Sequence, residues 1–321
     1  MRRSAPLSIK NNSYVKTAIA ALIAAGTLVG TAACGTSDSS SSDGASLTNS
    51  SKFDASTVAK DETIAALVPE HYKADGKLTV GMDTSYAPAE FLAEDGKTPE
   101  GYDVDLAKAI AAVMGLEAEP ITSKFDLIIP SVGSKFDLGI SSFTVSPERM
   151  DAVDFVSYYQ AGSLWATRKG NPDHVNVDDL CGLTVAVQTG TTQEQEIAEK
   201  NQQCKADGKK SIEVLSSAQQ TDVTTNVTTG KAVAFYADSP IAEYAIAQTD
   251  GVLEPLTDVA GIAQQGIVVK KGDTAMAQAV QQAVQKLMDD GTYEKILDAW
   301  GVKSGQITKA EINPTDSSAK N

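Results

Sequence analysis

Between residues 77 and 301, short apolar, β-branched runs alternate with longer stretches of helical spacing, and this alternation restricts the fold more than any other feature. Residues 77–82 (KLTVGM), 116–121, 136–141, 183–188 (LTVAVQ), 211–215, 232–236 (AVAFY) and 266–269 (GIVV) read as buried strands. Between them, 104–114, 218–229 and 275–288 read as helices. In the last, Ala277, Val280, Val284 and Leu287 fall on one helical face. Strands and helices in turn predict an α/β architecture. The 321 residues suffice for two lobes, with crossings expected near 163–169 and 260–266. A cleft between the lobes is then the default ligand site.

Four expected strand ends carry chemistry, and in open α/β sheets ligands sit at such carboxyl ends. Residues 139–155 (GISSFTVSPERMDAVDF) place the hydroxyls of Ser141, Ser142 and Thr144 ahead of a helix start at Ser146-Pro147, with Arg149 in its first turn. A guanidinium fork matches a carboxylate bidentately, and a helix N-terminus favours anions. The same residues also describe an ordinary N-cap followed by a surface Arg. The strand at 183–188 runs into Thr189-Gly190-Thr191-Thr192 and a polar helix opening with Gln193 and Glu194, a second candidate anion site of a common type. The strand at 232–236 ends at Ala237-Asp238-Ser239-Pro240, and the one at 77–82 leads into the loop Asp83–Pro88. Asp103 reads as a helix N-cap rather than a catalytic acid.

The net charge is −15, although residues 1–33 carry Arg2, Arg3, Lys10 and Lys16 and no acid. So acidic a chain is repelled by phosphate backbones, which argues against nucleic acid as a partner. The basic start precedes an apolar run, 17–29, well short of the roughly 20 residues that span a bilayer, and it reads as a secretory signal. Thr31-Ala32-Ala33-Cys34 resembles a lipobox, where the Cys is lipidated and becomes the first mature residue, although that pattern prefers Leu at the position of Thr31. A plain signal peptide cut nearby is the alternative. The tract GTSDSSSSDGAS after Cys34 reads as a flexible tether. Export places Cys181 and Cys204 where disulfides persist, and two such thiols most simply pair with each other. Two Cys without a His cluster fall short of a zinc pattern, so no metal and no other cofactor is expected.

The segments LTVGMDTSYAPAEF, EGYDVDLAKAIAAVMGL, FDLIIPSV, DLGISSFTVSPERMDAVDFV, DDLCGLTVAVQTGTTQE, AFYADSP, GIVVKKGD and DDGTYEKILDAWG appear in this order from about 77 to 301. Together they resemble the extracytoplasmic solute-binding proteins of ABC importers for polar amino acids, family 3. The resemblance implies the two-lobed type II periplasmic-binding-protein fold with a closing cleft. It implies Arg149 on the ligand's α-carboxylate with Gly190, Thr191 and Thr192, and Asp238 on the α-ammonium with Ser141, Ser142 and Thr144. Tyr86 and Phe125 would flank the ligand side chain, and Asp83 would face its polar end. Each has a plainer reading: Tyr86 and Phe125 as core, Asp238 as a helix N-cap, Asp83 as a loop ion-pair partner. Ala89 and Val233 depart from the family's usual Phe and acid.

The expected organisation is a lipoprotein signal at 1–33, a tether at 34–52, a first lobe at 53–168 and 263–303, a second at 169–262 and a mobile tail at 304–321. The expected function is capture of a basic or neutral polar L-amino acid by a monomer, anchored outside the cell membrane through lipid on Cys34, for delivery to a membrane permease. An enzyme on the same fold, such as a dehydratase of carboxylate ligands, is the alternative; His71 and His174, the two histidines, lie outside the expected cleft segments.

Overall fold

The structure, a computed structural model, describes residues 53–315; the expected signal segment, Cys34 and the tether lie outside them. After α1 (Glu62–Leu67) come β1 (Lys77–Met82), β2 (Ser85–Tyr86), β3 (Glu90–Leu92), β4 (Pro99–Glu100) and α2 (Tyr102–Met114). Then β5 (Glu117–Thr122), α3 (Phe125–Ile128), β6 (Leu138–Gly139) and α4 (Pro147–Ala152) lead into the long β7 (Val153–Arg168). Next are β8 (Thr184–Gln188), α5 (Thr192–Ala206), β9 (Glu213–Ser217), α6 (Gln220–Thr228), β10 (Ala234–Asp238), α7 (Ser239–Gln248) and β11 (Leu253–Pro255). The chain returns through β12 (Ala260–Lys270), α8 (Thr274–Asp289) and α9 (Thr292–Ala299).

The main sheet runs β5-β1-β6-β12-β7-β10-β8-β9, with β11 also on β7. Pairing is parallel in β5-β1-β6 and again in β10-β8-β9, as α/β crossovers produce. It is antiparallel where β7 and β12 join these two halves. The halves are the centres of the two lobes. β7 pairs with β12 from Val153 to Ser163 and with β10 from Ser163 to Thr167, so a single strand serves both. The strand runs unbroken through 160–162, carried by its pairing with β12, with a register shift between Gln265 and Gly266.

Each half has its own apolar filling. In one, α2, α8 and α9 press Ile110, Val280, Val284, Leu287 and Ile296 onto Leu78, Val80 and Ile140, while Phe125, Phe136, Phe143 and Phe155 fill the opposite face. In the other, Leu164, Val223 and Phe235 pack on one face and Trp165, Val187 and Ile197 on the other. Cys181 and Cys204 form a disulfide, tying the end of α5 to the loop before β8.

Two local outcomes differ from the sequence reading. Asp103 does not cap α2. The N-cap is Gly101, at φ 134, where a Cβ would fall 2.0 Å from the Ala89 carbonyl oxygen; this frees the fully buried Asp103 for another role. Residues 304–315, expected in a mobile tail, are instead laced to the first half. The Glu311 carbonyl accepts the Ser157 N–H at 2.9 Å, Asn313 N–H donates to the Phe155 carbonyl at 2.9 Å, and Ala310 is buried.

Candidate functional site

The first wall of the cleft is built from the end of β6 through α4. Ser146 caps α4 by accepting the Arg149 N–H, and Pro147 follows at the first helical position. The cap fixes where the Arg149 side chain starts. Its guanidinium lies 5.5 Å from the ring centre of Phe125 and 5.8 Å from that of Phe143, and these rings stack at 4.7 Å. Such contacts favour the cation by about 0.5–2 kcal/mol. Arg149 Nη1 donates to the Thr144 carbonyl at 2.9 Å and Nη2 crosses the cleft to the Gly190 carbonyl at 3.0 Å. Burial lowers its pKa, and the nearby Asp238 carboxyl opposes that effect.

The second wall starts where β8 ends. Gly190 sits at φ 81, and a Cβ there would approach the Asp126 Cβ to 2.9 Å, so the two walls touch at a position suited to glycine. Thr191 caps α5 by accepting the Glu194 N–H, and its hydroxyl donates to the Gln188 carbonyl at 2.7 Å. Thr192 follows as the first residue of α5. Asp238 stands at the N-cap position of α7 yet makes no side-chain cap. Instead it accepts from Gln193 Nε2 at 2.7 Å, from Gln265 Nε2 at 2.9 Å and from the Tyr86 hydroxyl. Burial pushes its pKa up to about 6, against the pull of Gln193, Tyr86, Arg149 and Gln265.

Asp83, 4% exposed, accepts from the Ser85 N–H and hydroxyl, the Phe125 N–H and, from the other wall, Gln188 Nε2. Burial raises its carboxyl pKa, and these bonds offset part of the rise. Gln220 N–H donates to Ser85 Oγ at 3.0 Å, a further link between the walls.

The geometry thus brings together Arg149, Asp238, Tyr86, Phe125 and Gly190, with Asp83 on the Phe125 side. Thr144 contributes its carbonyl to Arg149 and bridges to Gln265 by backbone pairing. The hydroxyls of Ser141 and Ser142 point to buried carboxyls: Ser141 Oγ donates to Glu90 at 2.5 Å, and Ser142 Oγ lies 3.2 Å from Asp103. Sequence reasoning missed the carboxamides of Gln188, Gln193 and Gln265, which serve as the hydrogen-bond donors of the cleft acids. The available signal was the pair Gln188 and Gln193 flanking the Thr189–Thr192 turn at the opening of a helix.

A sequence profile of bacterial extracellular solute-binding proteins, family 3, matches residues 78–303. The arginine-binding protein ArgT of Corynebacterium glutamicum is 36% identical over 252 residues, 78% of this chain and 82% of that protein. Holo ArgBP from T. maritima superposes with a TM-score of 0.63 at 32% identity, covering 73% of this chain and 100% of that one. The ancestral amino acid-binding protein AncCDT-1, described as a precursor of cyclohexadienyl dehydratase, gives 0.64 at 32% identity over 73% of this chain and 99% of that one.

Proposed function

The chain belongs to the bacterial extracellular solute-binding proteins of family 3, and from that premise we propose that the amino acid it binds for ABC import is L-arginine. The observation that carries the reading is the placement of Arg149 and Asp238 within electrostatic reach of each other, with Tyr86 bonded to Asp238 and Phe125 beneath Arg149. A zwitterion needs one cationic and one anionic partner, because charges leaving water must be paired. Thr191 and Thr192 at the start of α5 assist the carboxylate end, and Ser141, Ser142 and Thr144 frame the ammonium end. Asp83 supplies the second anionic partner that a cationic side chain requires, and beside it Gln188 Oε1 is buried without a partner among the described residues. A guanidinium offers five donors in a planar fork, which suits a carboxylate and an amide oxygen together. ArgT and ArgBP, both arginine-binding by name, support the same choice.

In this reading the lobes, 53–168 with 263–303 and 169–262, close about β7 and β12 as a hinge. The protein works as a monomer, presents the closed form to a membrane permease and is held outside the cell by lipid on Cys34 after removal of residues 1–33. It is a carrier and not a catalyst: the cleft acids Asp83 and Asp238 are each engaged by several donors and consumed in ligand pairing. The kinship with AncCDT-1 keeps the dehydratase alternative worth an assay. A thermal-shift series with the twenty amino acids tests the function, since a ligand that binds only the folded state stabilises it by RT ln(1 + [L]/Kd). Arginine should give the largest rise in Tm, and Asp83→Asn should erase that preference. A series in which no amino acid raises Tm ends the reading.

A further inference from the structure

Behind the first wall lie two fully buried acids whose functional role is open, Glu90 on β3 and Asp103 in the first turn of α2. The backbones carrying them are in direct contact: the Asp103 N–H donates to the Ala89 carbonyl at 2.9 Å. One oxygen of each carboxyl is bonded to the ligand-facing loop. Glu90 Oε1 accepts from Ser141 Oγ, which in turn accepts the Asp83 N–H at 3.1 Å. Asp103 Oδ2 accepts the Ser142 N–H at 2.9 Å and lies 3.2 Å from Ser142 Oγ. Glu90 Oε2 is buried with no donor among the described residues, while Asp103 is met by the Tyr158 hydroxyl and the two acid side chains are in hydrogen-bonding contact with each other. Two carboxylates cannot bond without a proton between them, because both are acceptors when ionised. Two like charges in one dry site are also strongly disfavoured.

We infer that Glu90 and Asp103 share one proton and, as a single hydrogen-bonded pair, are positioning residues that set Ser141 and Ser142 for amino acid binding. Ser142 shows why a positioning device is needed. It adopts φ 49, a left-handed conformation that a non-glycine residue keeps only where its surroundings hold it. The Asp103 carboxylate holds it through both the N–H and the hydroxyl, and Tyr102 OH lies 3.3 Å from the same hydroxyl. The groups acting on the pair from the neighbouring elements are Asp83 after β1, Tyr86 on β2, Tyr102 on α2 and Tyr158 and Tyr159 on β7. All of these are neutral or negative. Burial first, then the Asp103 charge, drives the Glu90 pKa well up, so of the two acids Glu90 is the one that keeps the proton.

The inference deepens the amino acid-binding reading and rests on it. Two measurements test it on the exported protein. The infrared difference between wild type and Glu90→Gln at pH 8 should show a protonated-carboxyl C=O stretch present only in wild type. Calorimetry with arginine should give Glu90→Gln an affinity within about threefold of wild type, since the amide keeps a donor toward Asp103. Glu90→Ala should weaken binding roughly tenfold or more. If Glu90→Ala fails to fold by circular dichroism, Asp103→Asn takes its place. It keeps an oxygen for the Ser142 N–H and offers an amide donor to an ionised Glu90, so it should bind near wild type and lose the same band. Absence of the band in wild type overturns the inference, as does binding by Glu90→Gln as weak as that of Glu90→Ala. Should no amino acid bind the wild type at all, the functional reading falls while the infrared band still decides the shared proton.

Discussion

In the first wall the groups facing the cleft rest on the core itself. Arg149 lies over Phe125 and Phe143, members of one apolar cluster, and Ser141 and Ser142 are tied to the fully buried Glu90 and Asp103. In the second wall the corresponding groups are amides and hydroxyls on α5, a helix whose buried residues are Gln193, Ile197 and Cys204. What the core does for the first wall, a cross-link from Cys204 to Cys181 and a set of carboxamide hydrogen bonds do for the second. The difference teaches that Arg149, the proposed carboxylate partner, is held by packing, whereas Asp238, the proposed ammonium partner, is held by side chains that carry no charge.

Removing Arg149 should produce the largest effect. Arg149→Ala takes the cation from a desolvated site and should weaken arginine binding by roughly a hundredfold or more, with the fold retained, because the rings beneath it stay packed. Titration calorimetry beside a circular dichroism melt checks this; unchanged affinity would remove the first wall from the comparison. Replacing Cys181 and Cys204 by Ser probes the second wall. The cysteines are 23 residues apart, and a loop of that size contributes about 3 kcal/mol in the chain-entropy model. The expected result is a lower urea midpoint, with saturating arginine still bound. A loss of binding without a loss of stability would mean that the cross-link orders the site rather than the lobe.

The smallest effect is set by pH and acts through Asp238, whose pKa is raised to about 6 by burial. An ammonium ligand requires the carboxylate, so affinity should fall as pH drops through 6, by roughly tenfold at pH 5. The ligand-free protein should move the opposite way. An acid with a folded pKa above its unfolded value of about 3.9 favours the folded state at low pH, and that contribution is lost as pH rises through 6. Calorimetry and urea melts between pH 4.5 and 8 measure the two trends. Affinity that is flat across this range would deny Asp238 its role as the ammonium partner.

Much of this was legible in residue order. The strand–helix alternation, the capped start of α4 with Arg149 and the placement of Asp238 at a strand end follow from local patterns. The pairing of Cys181 with Cys204 also follows from the residues alone. What escaped depends on contacts between distant segments. Glu90 and Asp103 meet because β3 and the start of α2 fold back at Gly101, and nothing in the local composition marks two acids as partners. The bonds from Glu311 and Asn313 to β7 escaped for the same reason, since a polar ending looks alike whether or not a strand edge awaits it.

The lacing of residues 311–313 along β7 has a mechanical side. At its first end β7 is gripped by β6's neighbour β12 over Val153–Ser157 and by the chain's last described residues. At its other end it is gripped by β10 and β11 over Ser163–Arg168. Between these ends, over 158–162, β7 is paired with β12 alone, and both register shifts fall there. A beam held on both sides at its ends and on one side between them bends in between. Rotation of one lobe on the other should therefore be concentrated in this short span. The stiffness of these few residues, which pair with Gln265 next to Asp238, would then set how much of the binding energy remains as affinity and how much is taken up in flexing the joint.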